Sequence, residues 1–285
     1  MAVYLKHFRL LSDSAEALFF AKQRRTCYNN FYPFGFFPEK ELEQLSFGPI
    51  TFLYGGNGSG KTTLLNVIAQ KAEVVRHSAF SNSAFFQVYV DGCGMATEEG
   101  IPRSSQILTS DDVFDYLQDI RRMNNGIDRR REELFEQYTD LKYQHNQLQS
   151  LDQYDQWKAQ VDAKRTSQSR FVKSRLRQNI VMQSNGESAL RYFVERIEEN
   201  ALYLLDEPEN SLSIALQQEL AGFLQDSARY YGCQFIIATH SPILLSMRDA
   251  EIYDLDHSPA AVRRWTELEN VRAFYQFFQQ HQAEF

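Results

Sequence analysis

Residues 50–65 read ITFLYGGNGSGKTTLL, and the fold turns on how that stretch is understood. ITFLY is a short apolar run of strand type, and TTLLNVIA, from Thr62 onward, has the spacing of a helix. Between them Gly55, Gly56, Asn57, Gly58, Ser59 and Gly60 form a segment nearly free of side chains, in which backbone N–H groups can converge on an anion. From Gly55 the string fits G-x-x-x-x-G-K-[ST], and it lies between a strand and a helix as that pattern requires. A phosphate chain would then sit at the helix N-terminus, where unpaired N–H groups point outward. Lys61 would reach the outer phosphates and the Thr62 hydroxyl would ligate Mg2+ beside them, with Thr63 in the same first turn. A glycine-rich turn carrying a surface lysine would explain neither the Lys61–Thr62 pair nor the flanking pattern.

A second constellation lies in ALYLLDEPEN, residues 201–210. The apolar run ends in Asp206 and Glu207, so both carboxylates emerge at the carboxyl end of a buried parallel strand, the edge at which open α/β sheets bind ligands. Asp206 suits Mg2+ held through water, and Glu207 is placed to polarise an attacking water. QFIIATH, residues 234–240, repeats the arrangement and ends in His240, whose imidazole can bond a terminal phosphate and respond to its departure. Each residue alone has an ordinary structural explanation, as a helix cap or a strand-end histidine. All three in this order behind a glycine loop point to one site.

At 285 residues, 43% of them hydrophobic, the chain is long enough for one large α/β domain or two small ones with a sizeable core. No uninterrupted apolar run of about eighteen residues occurs, and the opening MAVYLKHFRLLSDSAE lacks the ordered charge, apolar run and cleavage site of a secretory signal. Neither membrane insertion nor export is expected. Cys27, Cys93 and Cys233 are far apart and odd in number, which suggests neither a disulfide framework nor a metal knuckle, and the expected location is the reducing cytoplasm. A formal charge of −7 argues against a chain that is basic overall, so contact with nucleic acid would fall to a local patch.

Three zones follow. Residues 1–109 read as strand-rich and aromatic, through VYLKHF, FYPFGFFP, ITFLY and AFFQVYV. Residues 110–183 read as a helical subdomain: Ser110 and Asp111 give a cap signal, Val113, Phe114, Leu117 and Ile120 share one face, and NNG at 124–126 is expected to break the helix. Beyond the break Leu134, Tyr138, Leu141, His145 and Leu148 step by four and three in a heptad-like seam. Tyr154, Trp157 and Val161 begin another stripe, so a short helical hairpin is expected. Residues 184–285 return to alternating strand and helix, with a helix across LQQELAGFLQDSARYYG.

Together these motifs resemble those of the ABC-type ATPases across nearly the whole chain. GGNGSGKTTLL is similar to their Walker A segment, LYLLDEPENSLS to Walker B followed by the D-loop, and ATHSP to the switch-histidine loop. QSNGES, residues 183–188, stands where the family has its signature, usually LSGGQ or LSGGE: Ser184, Gly186 and Glu187 match, Asn185 replaces a glycine and Gln183 a leucine. Asn tolerates left-handed backbone better than most residues, so that exchange is physically mild. Ser213 replaces the D-loop aspartate.

The resemblance implies an α/β P-loop NTPase whose ABC-ATPase-like core, a mixed, largely parallel sheet flanked by helices, carries an inserted helical subdomain. It implies ATP and Mg2+ as cofactors, with hydrolysis to ADP and phosphate. It also implies a homodimer formed on ATP binding, head to tail, in which the helix after Ser184 in one copy presents its N-terminus to the γ-phosphate held by the other, and hydrolysis releases the pair. The family's Q-loop glutamine, a metal ligand, is matched to Gln106 ahead of the helical zone rather than to Gln87 in the apparent strand FFQVYV. For the adenine, Tyr32 and Phe34 are both stacking candidates, and no N-K-x-D string supports guanine.

THSP and ENSLS are similar to the SMC, recombination and overcoming-lysogenisation groups rather than to transporters, which implies a stand-alone switch in DNA maintenance or phage defence. Lys164, Arg165, Arg170, Lys173, Arg175 and Arg177, with no acid among residues 164–177, form either a stretch able to track DNA phosphates with salt-sensitive affinity or a solvated helix face in an acidic protein. Two other readings stay open: the nucleotide-binding subunit of a membrane transporter, and a regulatory ATPase that holds an effector protein on its helical hairpin.

Overall fold

The computed structural model describes every residue except 25, 26, 81, 144–153 and 181–183, so His145, Leu148 and Gln183 lie outside the described residues. In chain order the strands are β1 (Leu5–Arg9), β2 (Gln44–Ser46), β3 (Ile50–Tyr54), β4 (Gly94–Thr97), β5 (Gln106–Thr109), β6 (Leu202–Asp206), β7 (Gln234–Thr239), β8 (Glu251–Asp254) and β9 (Ala261–Val262). The helices are α1 (Asp13–Lys22), α2 (Lys61–Lys71), α3 (Phe86–Gly92), α4 (Ser110–Tyr143), α5 (Tyr154–Arg165), α6 (Gln168–Lys173), α7 (Asn185–Arg196), α8 (Ile214–Tyr230), α9 (Pro242–Leu245) and α10 (Glu269–Gln280).

The runs ITFLY, LYLLD and QFIIAT become β3, β6 and β7, in which every residue is buried. Such uninterrupted apolar strands demand cover on both faces, which a parallel α/β sheet supplies. They form the centre of a sheet ordered β5-β6-β7-β3-β8-β9, parallel except for its last pair, beside an antiparallel sheet ordered β2-β1-β4. The Gln234 amide joins the sheets: its Oε1 accepts from the N–H groups of Tyr4 and Leu5, and its Nε2 donates to the carbonyls of Leu5 and Gly48. A wholly buried amide with its donors and acceptor engaged carries no desolvation penalty left over. The mixed, largely parallel sheet is the architecture expected.

The chain divides into two compact units, Met1–Phe114 with Asn185–Phe285, and Asp115–Ser184. Within the second, Leu134 and Tyr138 of the expected seam are buried against Ala163, Phe171 and Val172, and Leu141 packs on that cluster. A helix begins at Tyr154 as the Tyr154, Trp157 and Val161 stripe predicts, but its buried face is a different one: Tyr154 and Trp157 are exposed and stack on one another, while among the described side chains Gln160 and Ala163 are buried.

Two further expectations are overturned. AFFQVYV is not a strand; its Phe86, Tyr89 and Val90 are buried at helical spacing in α3, and Gln87 lies on the exposed face, donating to Asp91 at 2.8 Å. NNG does not break the helix, for α4 runs unbroken through it. The buried Asn124 amide donates to Ile180 O at 3.0 Å and accepts from Ile180 N–H at 2.9 Å, so a tertiary contact fixes the turn. Gly126 costs α4 about 1 kcal/mol of propensity, too little to end a packed helix.

Candidate functional site

The glycine loop closes between β3 and α2. Gly60 caps α2 with φ +94°, and a Cβ there would lie 2.3 Å from Phe36, so both conformation and space require glycine. The buried Lys61 ammonium turns back under the loop and donates to the carbonyls of Gly55 at 2.7 Å and Gly56 at 3.0 Å. Those bonds hold the loop against its own lysine before any ligand arrives. Thr62 Oγ1 donates to Asp206 Oδ1 at 3.1 Å, and the Tyr32 hydroxyl touches Thr63 Oγ1.

Glu207 follows Asp206 into a left-handed backbone with φ +48°, a strained conformation for a residue with a side chain. Its Oε1 lies 3.8 Å from Lys61 Nζ and 3.6 Å from His240 Nδ1. The strand ends therefore bring Lys61, Asp206, Glu207 and His240 to one edge. Glu209, which the sequence did not single out, ties this edge together. Its buried Oε1 accepts from Thr239 Oγ1 at 2.6 Å and from the N–H groups of His240 at 3.0 Å and Ser241 at 3.2 Å, fixing the histidine loop to the turn after β6.

A cavity of about 410 Å3 opens beside Thr62, Thr63 and Asp206. Arg76 enters it, bonded to the Asn66 amide oxygen and lying over the Phe80 ring. Burial pulls its guanidinium below the ordinary value, against the attraction of Asp112 and Asp206. No local pattern in VVRHS marks this arginine. Thr109 and Ser110 line the same cavity, while Asp112 caps the start of α4 by accepting from the Thr109 N–H at 2.8 Å. Of the two adenine candidates, Tyr32 lines the cavity, whereas Phe34 is buried and stacked on Phe19.

The structure does not bring Gln106 to this edge. It opens β5 in register with Tyr203, whereas Thr109, three residues on, stands opposite Asp206. At about 3.3 Å per residue the glutamine backbone lies roughly 10 Å down the strand, so its assignment as a metal ligand is corrected. Gly186 and Glu187 fall in the first turn of α7, which makes Ser184 the residue before that helix. A Cβ at Gly186 would lie 3.0 Å from the carbonyl of Ser211, which keeps the position small.

A divalent cation fits the Thr62–Asp206 pair on the chemistry of its donors. Both are hard oxygen ligands, and Mg2+ commonly takes one or two such protein groups while keeping water. Burial raises the Asp206 carboxyl to about 6, with Glu207 adding to the rise and the Thr62 hydrogen bond and Lys61 opposing it. Folded Asp206 thus keeps its proton above the ordinary carboxyl value of 3.8. The metal-free fold is favoured below that interval and loses on the order of 3 kcal/mol as pH rises through it. In EDTA, the thermal midpoint of the protein minus that of Asp206→Asn should therefore fall between pH 4 and pH 7. A difference independent of pH would refute the assignment.

A strand, a glycine loop gripped by its own lysine, and a hydroxyl–carboxylate pair at the carboxyl edge of a parallel sheet define a P-loop NTPase fold. Residues 73–246 match the family described as "AAA domain, putative AbiEii toxin, Type IV TA system", and the chain belongs to that family. The matched span begins after the glycine loop and takes in Asp206, Glu207 and His240. Among solved structures the chain is similar to a metal-chelate type ABC transporter in an inward-facing conformation, at 16% identity over 97% of this chain and 90% of that chain, TM-score 0.42. It is also similar to an SMC head domain from Thermotoga maritima, at 14% identity over 92% of this chain and 99% of that chain, TM-score 0.37. A third similarity is to an Smc head domain from Pyrococcus furiosus bound to the C-terminal domain of ScpA, at 11% identity over 82% of this chain and 95% of that chain, TM-score 0.40. A search of curated proteins finds no match. Among the described residues no helix is long and apolar enough to cross a membrane.

Proposed function

We propose that the protein binds ATP with Mg2+, hydrolyses it, and uses the cycle to close and open a head-to-tail homodimer in DNA maintenance or phage defence. The convergence of Lys61, Thr62, Asp206, Glu207 and His240 at one sheet edge carries this reading. Within the Gly55 to Thr63 loop the backbone N–H groups from Asn57 onward cradle the phosphates, and Lys61 neutralises the outer ones. Thr62 and Asp206 hold Mg2+, which supplies charge stabilisation when bound. Glu207 accepts the proton of the attacking water as its oxygen bonds to the γ-phosphorus and the bond to the β,γ-bridging oxygen breaks. His240 bonds the γ-phosphate, and its departure loosens the loop that Glu209 ties to the turn after β6.

Ser184, Gly186 and Glu187 act in trans, at the N-terminus of a helix able to stabilise the partner copy's γ-phosphate. The family description names a toxin and a toxin–antitoxin system, which supports the defence setting. It also favours a second reading, a regulatory ATPase holding an effector protein on the helical hairpin. For DNA, Arg175 is already engaged by Asp162 and lies over Phe171, so the exposed Arg165, Arg170, Lys173 and Arg177 are left to meet phosphates.

Mixing two inactive chains tests the arrangement. Ser184→Arg and Lys61→Ala should each hydrolyse no ATP alone, and their mixture should regain phosphate release, because a heterodimer holds one intact composite site. Continued inactivity of the mixture at high concentration would rule out the head-to-tail dimer.

A further inference from the structure

Asp256 sits on the glycine loop, although no pattern in DLDHSP marks it. Strands β3 and β8 are paired with Tyr54 opposite Asp254, and the Leu255 N–H continues the ladder to Tyr54 O at 2.9 Å. The register thus carries the second residue beyond β8 to the second residue beyond β3. There both Asp256 carboxylate oxygens accept from the Gly56 N–H, at 2.8 and 2.9 Å.

That N–H belongs to the peptide unit whose carbonyl, Gly55 O, accepts from Lys61 Nζ at 2.7 Å. One amide therefore has an ammonium on its oxygen and a carboxylate on its nitrogen. Charge-assisted bonds at both ends polarise the group and strengthen each other. The geometry leaves little freedom: a Cβ on Gly55 would lie 2.4 Å from Ser59 Oγ and 3.0 Å from Asp256 Oδ1. Asp256 is itself anchored, its N–H donating at 3.0 Å to Oδ1 of the buried Asp254, whose Oδ2 lies 2.9 Å from His257 Nδ1. Asp256 takes none of the N–H groups from Asn57 to Thr63 among the described hydrogen bonds, so it leaves the anion-facing part of the loop open.

We propose that Asp256 is a positioning residue for nucleotide binding: it holds the Gly55–Gly56 peptide from its N–H side and so sets the Gly55 carbonyl on which the Lys61 ammonium rests. The inference rests on the reading of the loop as an ATP site. A carboxylate beside a phosphate site raises repulsion at long range, but its fixed hydrogen bond orders the loop before the ligand arrives, which lowers the cost of binding.

The test is calorimetric titration of the whole protein with Mg·ATP, joined to steady-state turnover. Asp256→Ala should weaken binding about tenfold and raise KM similarly, with kcat within about twofold. Asp256→Asn, which keeps a neutral acceptor for the Gly56 N–H, should lose only about threefold. The nucleotide-free thermal midpoint should stay unchanged in both, since the side chain is exposed and its bond to Gly56 orders only the loop. Absence of ATP binding by the unaltered protein would overturn the ATP reading and this inference with it. Binding by the unaltered protein that Asp256→Ala leaves undiminished, or tightens, would overturn this inference alone. Equal losses in both variants with a lowered midpoint would assign a merely structural role and also overturn it.

Discussion

Lys61→Ala is expected to weaken Mg·ATP binding by about a hundredfold or more, enough to remove saturable binding from a calorimetric titration. The ammonium is buried and holds two loop carbonyls, so its loss acts twice. It deletes a charged donor to the phosphates, worth roughly 1.5–3 kcal/mol. It also frees Gly55 and Gly56 from the bonds that hold the loop, and leaves Glu207 Oε1 without the positive charge now 3.8 Å away. An uncompensated carboxylate beside an incoming polyphosphate is repulsive, which adds to the loss. The fold itself should survive, because β3 and the apolar face of α2 remain packed. Affinity within threefold of the unaltered protein, in a chain with native circular dichroism, would contradict the assignment of the loop.

The parts of the site that were legible in the sequence are those whose chemistry is local. Glycines, Lys61 and Thr62 announce themselves because a strand-to-helix turn around an anion needs those residue types at that spacing, and Asp206 and Glu207 do so because they end an apolar run. The parts that were not legible depend on register. Gln106 is near the helical zone in sequence, but β5 intervenes and its pairing puts Thr109 opposite Asp206. Asp256 reaches Gly56 only through the β3–β8 alignment, and Arg76 reaches the cavity only because Val75 pairs beside Gln106. Periodicity failed where tertiary contact overrides it. The aromatic and β-branched residues of AFFQVYV favour a strand by propensity, yet burial of Phe86, Tyr89 and Val90 makes a helix. The Asn124 side chain likewise carries α4 across a sequence that would otherwise end a helix.

Glu207→Gln should lower kcat by about a hundredfold to a thousandfold while leaving Mg·ATP affinity within about twofold, and should trap the dimer. The exchange keeps size and shape, so the turn should hold: the backbone N–H of residue 207 bonds Ala238 O at 2.9 Å, and the Asn210 amide can still donate to an amide oxygen as it now does to Glu207 Oε2 at 3.2 Å. What the amide cannot do is accept a proton from water. That loss corresponds to about 3–4 kcal/mol of transition-state stabilisation. The left-handed backbone at this residue supports the role, since strain of that kind persists only where the surroundings fix the group's position. Two measurements separate the base from a purely electrostatic neighbour of Lys61 and His240. Rapid-quench kinetics should show slow cleavage after fast binding, and sedimentation in ATP should show a dimer that disperses when the nucleotide is removed. Turnover within fivefold of the unaltered protein would show that another group takes the proton, and unimpaired dispersal of the dimer in ATP would separate hydrolysis from opening.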